Sequence, residues 1–277
     1  MHNPIWLYWE TIKNRTEPAY ITLCRWTMLH NWSSENLIFL NSQNIENYLP
    51  GINHKIGKIE VDVKGRFDLL KRKIKPNLLN LAVKCDVYRA NILNEYGGIY
   101  VDSSAIALAP LKPYFDLLNN NKTFIVSQRQ SHGKSHNPVS FYGCKPKTNV
   151  IQQYCETINS LVMNKEHFHY NELGASALTP IVSENISEVI TLNENEIMPI
   201  TFEDADKLYQ DKKLTPKDIL IDNAKIFKLF NSPFKTTFSN MTINELYYSE
   251  NFIGKLYREA LPEAVFLKYC NREFNND

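Results

Sequence analysis

The sequence predicts an α/β fold with a mostly parallel, mixed central sheet flanked by helices. Three observations indicate it. Short apolar runs of strand length alternate with stretches of helical periodicity from the start of the chain. A longer helix, a Gly-Gly turn and a buried strand follow within residues 78–108. No glycine pattern typical of a dinucleotide or phosphate loop follows the first strands, so those two variants of the α/β class are disfavoured.

Composition indicates an ordinary globular chain. The sequence has 277 residues, 43% of them hydrophobic and 22% charged, which is typical of a single domain over residues 1–277. A net charge of +1 argues against a nucleic-acid partner. Five scattered cysteines without a CxxC pair favour a reduced compartment. Without a leader or an apolar run of about 20 residues, we expect no transmembrane segment and a cytoplasmic location.

The first elements fit a β-α-β start. Ile5–Trp9 suits a central strand, Tyr20–Asn31 a helix and Asn36–Asn41 a second strand. Asn44–Leu49 is predicted as a short helix. Tyr8 is a candidate platform for a nucleotide base, although a core aromatic is the more common role of such a residue. The polar residue that ends the second strand, Asn41, is a second candidate site residue.

Residues 78–108 carry the clearest pattern. Apolar side chains spaced three and four apart define one helical face, made of Leu78, Leu81, Cys85, Tyr88, Ile92 and Tyr96. Gly97 would end this helix in a left-handed conformation, and Gly98 would allow a close reversal into the strand Ile99–Val101. Asp102 and Ser104 would then lie at the carboxyl end of a buried strand. Ligands bind at such ends in open α/β sheets, so both are candidate site residues.

Asp86 and Arg89 stand one turn apart on the same helix. A solvent-exposed pair of this kind contributes only about 0.2–0.5 kcal/mol and would have no functional meaning. Their position beside a face that must be buried, just ahead of the Gly-Gly turn and the acidic strand end, favours a functional pair instead.

The rest of the chain adds weaker signals. A helix from about Tyr114, strands at Thr123–Ser127 and Ser140–Cys144, a helix at Val150–Met163 and a helix capped by Thr201 are predicted. Between them, residues 129–138 lack hydrophobic periodicity and concentrate polar side chains. His132 and His136 in this loop are candidate site residues, because loops after strands often carry function, and a mobile surface loop is the alternative. The basic stretch Lys55–Lys75 favours a solvated face over a peripheral membrane contact.

The segment CDVYRANILNEYGGIYVDSS, residues 85–104, resembles the helix-turn-strand motif of glycosyltransferases with an Asp-x-Asp signature, specifically the capsular polysaccharide synthesis proteins and the related mannosyltransferase-like family. Residues 5–10 and 36–50 are similar to the first segments of the capsular family. The resemblance therefore covers about the first half of the chain.

That resemblance implies a GT-A-like, Rossmann-type nucleotide-binding fold with a donor part near residues 1–130 and an acceptor part near 131–277. It implies a hexosyltransferase that moves a sugar, with retention of configuration, from a UDP- or GDP-sugar to an oligosaccharide, polysaccharide or lipid-linked glycan in capsule or lipopolysaccharide assembly. By the same analogy Asp102 would hold the metal or the diphosphate. Asp86 and Arg89 would orient donor hydroxyls and support the strand end, and Gly98 would border the donor. In such an enzyme Asn41 would bind the donor, and His132 and His136 would contact the diphosphate or the acceptor. Looser analogy adds Lys235 as a further diphosphate contact.

The motif departs from the family at one position. Where the capsular proteins commonly carry a second Asp or a Thr, this chain has Ser104. A hydroxyl is a weak ligand for Mn²⁺ or Mg²⁺, which leaves a divalent cation at Asp102 and Ser104 an open question. Two other function classes also stay open: a relative that binds nucleotide sugars or glycans without turnover, and a glycoside hydrolase that uses Asp86 and Asp102 as acid and base.

Overall fold

The computed structural model describes residues 4–10, 16–57, 59–61, 76–120, 122–131 and 134–273. Up to the Gly-Gly turn and the strand after it, the described chain forms β1 (Pro4–Tyr8), α1 (Ala19–Asn31), β2 (Asn36–Leu40), α2 (Ile52–Ile56), β3 (Glu60–Val61), α3 (Pro76–Tyr96) and β4 (Gly98–Val101). A 3₁₀ turn at Ile45–Asn47 takes the place of the short helix predicted over Asn44–Leu49.

The following elements are β5 (Ala105–Ala107), α4 (Lys112–Asn120), β6 (Phe124–Ser127), β7 (Arg129–Ser131), β8 (Lys134–His136), β9 (Phe141–Cys144), α5 (Asn149–Asn164), β10 (His167–Phe168), α6 (Ala175–Glu184) and β11 (Val189–Leu192). The last part contains α7 (Phe202–Gln210), β12 (Ile226–Lys228), α8 (Asn231–Phe238), α9 (Ile243–Tyr247), α10 (Phe252–Ala260) and α11 (Glu263–Glu273). No described helix has the length and apolar character needed to span a bilayer.

The chain forms two compact units, each built from segments that are distant in sequence. The first comprises Met1–Glu10, Ile38–Val101 and Lys112–Asn193. The second comprises Thr11–Leu37, Asp102–Leu111 and Glu194–Asp277. The assignment of residues 1–277 to one transferase domain, with a donor and an acceptor part, stays a prediction.

The first unit contains a six-stranded sheet in the order β11-β6-β9-β4-β1-β2. β1 pairs in parallel with β4, and β6 in parallel with β11. β9 pairs antiparallel with both β4 and β6, so it runs against β1, β4, β6 and β11. The predicted fold class, a mostly parallel mixed sheet with flanking helices, is confirmed.

Helix α3 packs against α5 and against the strands β4 and β9 of the sheet. The predicted apolar face is buried at Tyr88 and Ile92, whereas Tyr96 is 42% exposed. Burial is also wider than one stripe, because Val87 and Leu93 on other sides of the helix are buried as well. A helix covered on several sides does not show a single apolar face, which is why periodicity gave only part of this contact surface.

The glycine turn forms as the sequence predicts. Gly97 and Gly98 have φ values of +64° and +97°, and the Gly97 amide donates to the carbonyl of Leu93 at 2.8 Å. A Cβ on Gly98 would lie 2.3 Å from the carbonyl oxygen of Pro4 in the neighbouring strand β1. Both the backbone conformation and the close strand packing therefore require glycine here.

The second unit is mainly helical around a two-stranded ribbon. β5 pairs antiparallel with β12, and Ala105 stands opposite Lys228 in that register. The amide of Asn31, at the end of α1, donates to the carbonyls of Ala107 and Ala260 at 3.0 and 2.7 Å. This ribbon is the element that brings the chain after β4 next to the C-terminal third.

One local prediction was wrong. Residues 129–138 were expected to form a loop, and the structure instead shows the strands β7 and β8 paired antiparallel, with Arg129 opposite His136. A two-stranded ribbon is held by main-chain hydrogen bonds, so it leaves no hydrophobic alternation in the sequence. Of the basic stretch Lys55–Lys75, residues 58 and 62–75 lie outside the described residues.

Candidate active site

Asp102 follows β4 directly, at the carboxyl end of a strand whose four residues are all buried. Its side chain is 26% exposed and lies 3.4 Å from the ammonium nitrogen of Lys228, measured from Oδ2 to Nζ. A partly exposed carboxylate at the end of a buried strand is placed to meet a ligand. The sequence prediction located this residue correctly in the fold.

Ser104 lies two residues further on and is almost completely buried, with 2% of its surface accessible. Its hydroxyl accepts a hydrogen bond from Lys228 Nζ at 2.7 Å, and the same ammonium donates to the carbonyl of Leu229 at 2.7 Å. The backbone supports the arrangement, because the Leu229 amide donates to the Ser104 carbonyl at 2.8 Å. Asp102, Ser104 and Lys228 together are called the Lys228 cluster below.

The donor set of the Lys228 cluster does not fit a divalent cation. It offers one carboxylate, a hydroxyl that already accepts a hydrogen bond, and an ammonium that would repel the ion. Among the residues that the structure describes, no group of three or more His, Cys, Asp or Glu side chains could hold a metal. The positive charge beside Asp102, at the end of β4, is the ammonium of Lys228.

Asp86 and Arg89 form a buried ion pair in the first unit. Arg89 Nη2 lies 3.2 Å from Asp86 Oδ1, and their side chains are only 7% exposed for Arg89 and 8% for Asp86. Arg89 also donates to the carbonyls of Cys85 and Val139. The exposed-pair interpretation is therefore wrong, because burial removes both side chains from solvent.

The ion pair is enclosed by tyrosines of the sheet and of α5. The Arg89 guanidinium carbon lies 4.8 Å from the ring centre of Tyr100 on β4. Burial raises the pKa of Tyr142 and of Tyr154 well above the usual value, and in Tyr154 the charge of Asp86 raises it further. These contacts fix α3 against β4, two residues before Asp102.

Two other predicted donor contacts are engaged within the first unit. The ring of Tyr8 is 4% exposed and stacks on Tyr88 at 4.7 Å between centroids, while its hydroxyl donates to Glu10 at 2.9 Å. That placement agrees with the core-aromatic alternative. The side-chain oxygen of Asn41 accepts from the amides of Gln43 and Asn44 at 2.8 and 3.0 Å, which closes the turn after β2.

Of the two candidate histidines, His132 lies outside the described residues. His136 ends β8, where it is partly buried beside Arg129. Burial and, to a smaller extent, the charge of Arg129 lower the pKa of His136 from 6.5. The structure thus places His136 in a basic hairpin, and its role toward diphosphate or acceptor stays a prediction, as does that of Gly98 toward the donor.

Lys228 was missed by sequence reasoning, which placed a basic contact at Lys235 on α8 instead. A signal did exist. In the run Ile226–Leu229 every residue except this lysine is apolar, and a lysine inside a short buried strand is rare unless its charge is paired. The sequence could not name the partner, because Ser104 lies 124 residues earlier in the chain.

The chain is similar to several solved structures of glycosyltransferases. The glycosyltransferase GlyE of Streptococcus pneumoniae TIGR4 superimposes with a TM-score of 0.51 at 10% identity, covering 98% of this chain and 64% of GlyE. The PaToxG glycosyltransferase gives a TM-score of 0.45 at 17% identity, covering 66% of this chain and 69% of its own. Mouse xyloside xylosyltransferase 1 gives a TM-score of 0.46 at 9% identity, covering 81% of this chain and 96% of its own.

Comparison with curated protein sequences gives no significant match. A family model described as capsular polysaccharide synthesis protein matches residues 1–250, well beyond the first half in which the resemblance was visible. With nine-tenths of its length matched, this chain belongs to the capsular polysaccharide synthesis protein family.

Proposed function

We propose that this chain is a glycosyltransferase that moves a sugar from a nucleotide-sugar donor to a glycan acceptor. The observation that carries the proposal is the partly exposed Asp102 carboxylate at the end of β4, beside a buried ammonium. A carboxylate can accept hydrogen bonds from sugar or ribose hydroxyls, and an ammonium favours the nearby diphosphate. Membership of the capsular family supports the same activity, and the fold shared with GlyE agrees with it.

The transfer breaks the bond between the anomeric carbon and the diphosphate oxygen, which keeps the electron pair. A new bond forms from an acceptor hydroxyl oxygen, whose proton must leave. The enzyme therefore has to stabilise negative charge that develops on the leaving phosphate. We assign donor binding to Asp102, with Ser104 as a secondary contributor that holds Lys228 beside it. Retention, a UDP- or GDP-sugar donor and an acceptor in capsule or lipopolysaccharide assembly are part of the same proposal.

We assign Asp86 and Arg89 a positioning role. Both are buried, and Arg89 contacts the ring of Tyr100, which precedes Asp102 by two residues on the same strand. The pair thereby holds the end of β4 in place. Orientation of donor hydroxyls by the same two side chains was also predicted from the sequence, and their low exposure favours the supporting role.

A glycoside hydrolase fits these placements less well. A general acid or base must reach the reacting atoms of its substrate, directly or through one water. The carboxylate of Asp86 is 8% exposed and engaged by Arg89, so it is poorly placed to serve as one of two catalytic carboxylates. A relative that binds nucleotide sugars without turnover is compatible with the same geometry, and kinetics distinguish it.

The deciding experiment is release of nucleoside diphosphate from UDP-, GDP- and dTDP-sugars, with and without Mn²⁺ and chelator, together with thermal shifts by the free nucleotides. We expect one donor to be hydrolysed slowly and its nucleotide to raise the melting temperature. Asp102→Asn should lower the rate by at least about 100-fold, because the contact to the donor is lost. Asp116→Asn, at an exposed helical carboxylate, is the matched control and should leave the rate unchanged.

The outcomes separate the function classes. Nucleotide binding without release from any donor, even with added glycan acceptors, would indicate a binding protein. Cleavage of simple glycosides without nucleotide binding would indicate a hydrolase. An Asp102→Asn variant with full activity would contradict the assigned site.

A further inference from the structure

We propose that the ammonium of Lys228 supplies the positive charge for the donor diphosphate, so that nucleotide binding at this strand end requires no divalent cation. The inference rests on the proposed transferase function and deepens it. It concerns the one feature of the Lys228 cluster that the family motif does not predict. An Asp-x-Asp site recruits its positive charge from solution, whereas this chain carries one in its own fold.

The position of Lys228 is set by the β5–β12 ribbon. The register places it opposite Ala105, one residue after Ser104. Its own amide donates to the carbonyl of Ile197 at 3.0 Å, and the amide of the next residue donates to the carbonyl of Ser104. The lysine is 7% exposed, so its position is fixed by packing as well as by hydrogen bonds.

Burying an ammonium has a large desolvation cost, and natural proteins accept it where the charge is paired or used. Here Ser104 Oγ and the Leu229 carbonyl hold the nitrogen at 2.7 Å each. Neither atom carries a formal charge. The Asp102 carboxylate stands at 3.4 Å, which is longer than the about 2.7–2.9 Å of a charge-assisted hydrogen bond.

Asp102 has the most exposed side chain of the Lys228 cluster. The Asp102 side chain is 26% exposed and that of Lys228 is 9% exposed, so the cluster is open at its carboxylate end. A dianionic diphosphate would meet one positive and one negative side chain there. The hydroxyl of Ser104 orients Lys228 without adding a charge, whereas an Asp at this position would add a second carboxylate beside the ammonium.

The same geometry explains the departure from the family motif. A second carboxylate at position 104 would lie within reach of the ammonium that the Ser104 hydroxyl now contacts, and it would pair with that charge. A divalent cation bound to Asp102 would face like-charge repulsion from Lys228 at close range. Ser104 and Lys228 are therefore coupled, because the hydroxyl at position 104 binds the ammonium at position 228 without adding a charge.

During transfer, the electron pair of the broken bond remains on the diphosphate oxygen. The leaving nucleoside diphosphate gains negative charge as the acceptor oxygen attacks the anomeric carbon and its proton is released. Lys228 stabilises that charge without changing its own protonation. No metal ion takes part in this step.

The test measures the affinity of UDP and GDP, and of uridine and guanosine, by calorimetry in chelator and again in Mn²⁺. For the unaltered protein we expect the diphosphate affinity to change less than about twofold between the two conditions, since the resident ammonium supplies the charge. A diphosphate that binds only with Mn²⁺ would overturn the inference and leave the transferase proposal standing. Binding of no nucleotide in either condition would overturn both.

Substitutions of Lys228 test whether this residue supplies the positive charge. Lys228→Met should weaken the diphosphate at least about tenfold and leave the nucleoside affinity unchanged, because only the diphosphate meets the charge. Lys228→Arg should restore most of that loss. Lys225→Met, on the same segment, is the matched control and should bind as the unaltered protein does. Equal weakening of nucleoside and diphosphate would show that Lys228 has only a structural role.

A double variant provides a second test that does not depend on whether the Lys228 single variants fold. Ser104→Asp combined with Lys228→Ala rebuilds two carboxylates without an ammonium. We expect its diphosphate affinity to rise at least about tenfold on addition of Mn²⁺, because two carboxylates hold the ion that the lysine had replaced. An unaltered protein with the same Mn²⁺ response as this double variant would refute the inference.

Discussion

The guanidinium of Arg89 lies 3.2 Å from the carboxylate of Asp86, with 7% and 8% of the two side chains exposed. Because the pair is buried, water cannot solvate the remaining charge when one partner is removed. Substitution of either residue therefore leaves the other as an uncompensated charge in the sheet-helix interface of the first unit.

We expect Arg89→Met to lower the free energy of unfolding by about 3–5 kcal/mol, because it leaves Asp86 buried and unpaired. Urea unfolding followed by circular dichroism measures the loss. Lys112→Met is the control, since it breaks an exposed i,i+4 pair with Asp116 and should cost at most about 1 kcal/mol. Equal losses for the two variants would show that the buried pair carries no special weight.

Gly98→Ala should prevent or severely weaken folding of the first unit. Its Cβ would meet the Pro4 carbonyl oxygen at 2.3 Å, and φ is +97°. Gly51→Ala isolates the backbone contribution, because Gly51 has φ of +76° and open space around a Cβ. We expect about 1–2 kcal/mol for Gly51→Ala and a much larger loss, or no soluble protein, for Gly98→Ala. Similar unfolding curves would argue against close β1–β4 packing.

Thr201 caps α7 as predicted, and its hydroxyl oxygen accepts from the Asp204 amide at 3.2 Å. Thr201→Ala should cost about 1 kcal/mol, because one amide of the first helical turn loses its acceptor. Thr201→Ser keeps the oxygen and should recover most of that loss. Chemical denaturation of the three proteins compares them, and a serine variant as weak as the alanine variant would assign the effect to the lost methyl group.

His136 should make stability fall at acidic pH. Burial, together with Arg129, lowers the pKa of its imidazole from 6.5, so the fold favours the neutral ring. The stabilising contribution is then present above the unfolded-state pKa and is lost as pH falls through the folded-state pKa. We expect His136→Gln to lose less stability than the unaltered protein between about pH 8 and pH 5. A His136→Gln variant that loses as much stability as the unaltered protein over this range would contradict the assignment.

Local rules accounted for much of the first unit and for one cap in the second. Helix α3, the Gly97-Gly98 turn, β4 and the Thr201 cap follow from side-chain spacing, from the tolerance of glycine for positive φ and from cap chemistry. These are interactions between residues close in sequence. The β7–β8 ribbon was missed because main-chain pairing needs no particular side-chain pattern.

Sequence alone was sufficient to predict the α/β class, the order of helix, turn and strand before Asp102, and the residues of the Asp86–Arg89 pair. The burial of this pair, and the position of Lys228 beside Asp102 and Ser104, became known only from the three-dimensional packing. Burial depends on what packs against a helix from elsewhere in the chain. The lysine contact depends on the antiparallel register of β5 with β12, and pairing between segments more than a hundred residues apart leaves no trace in local spacing.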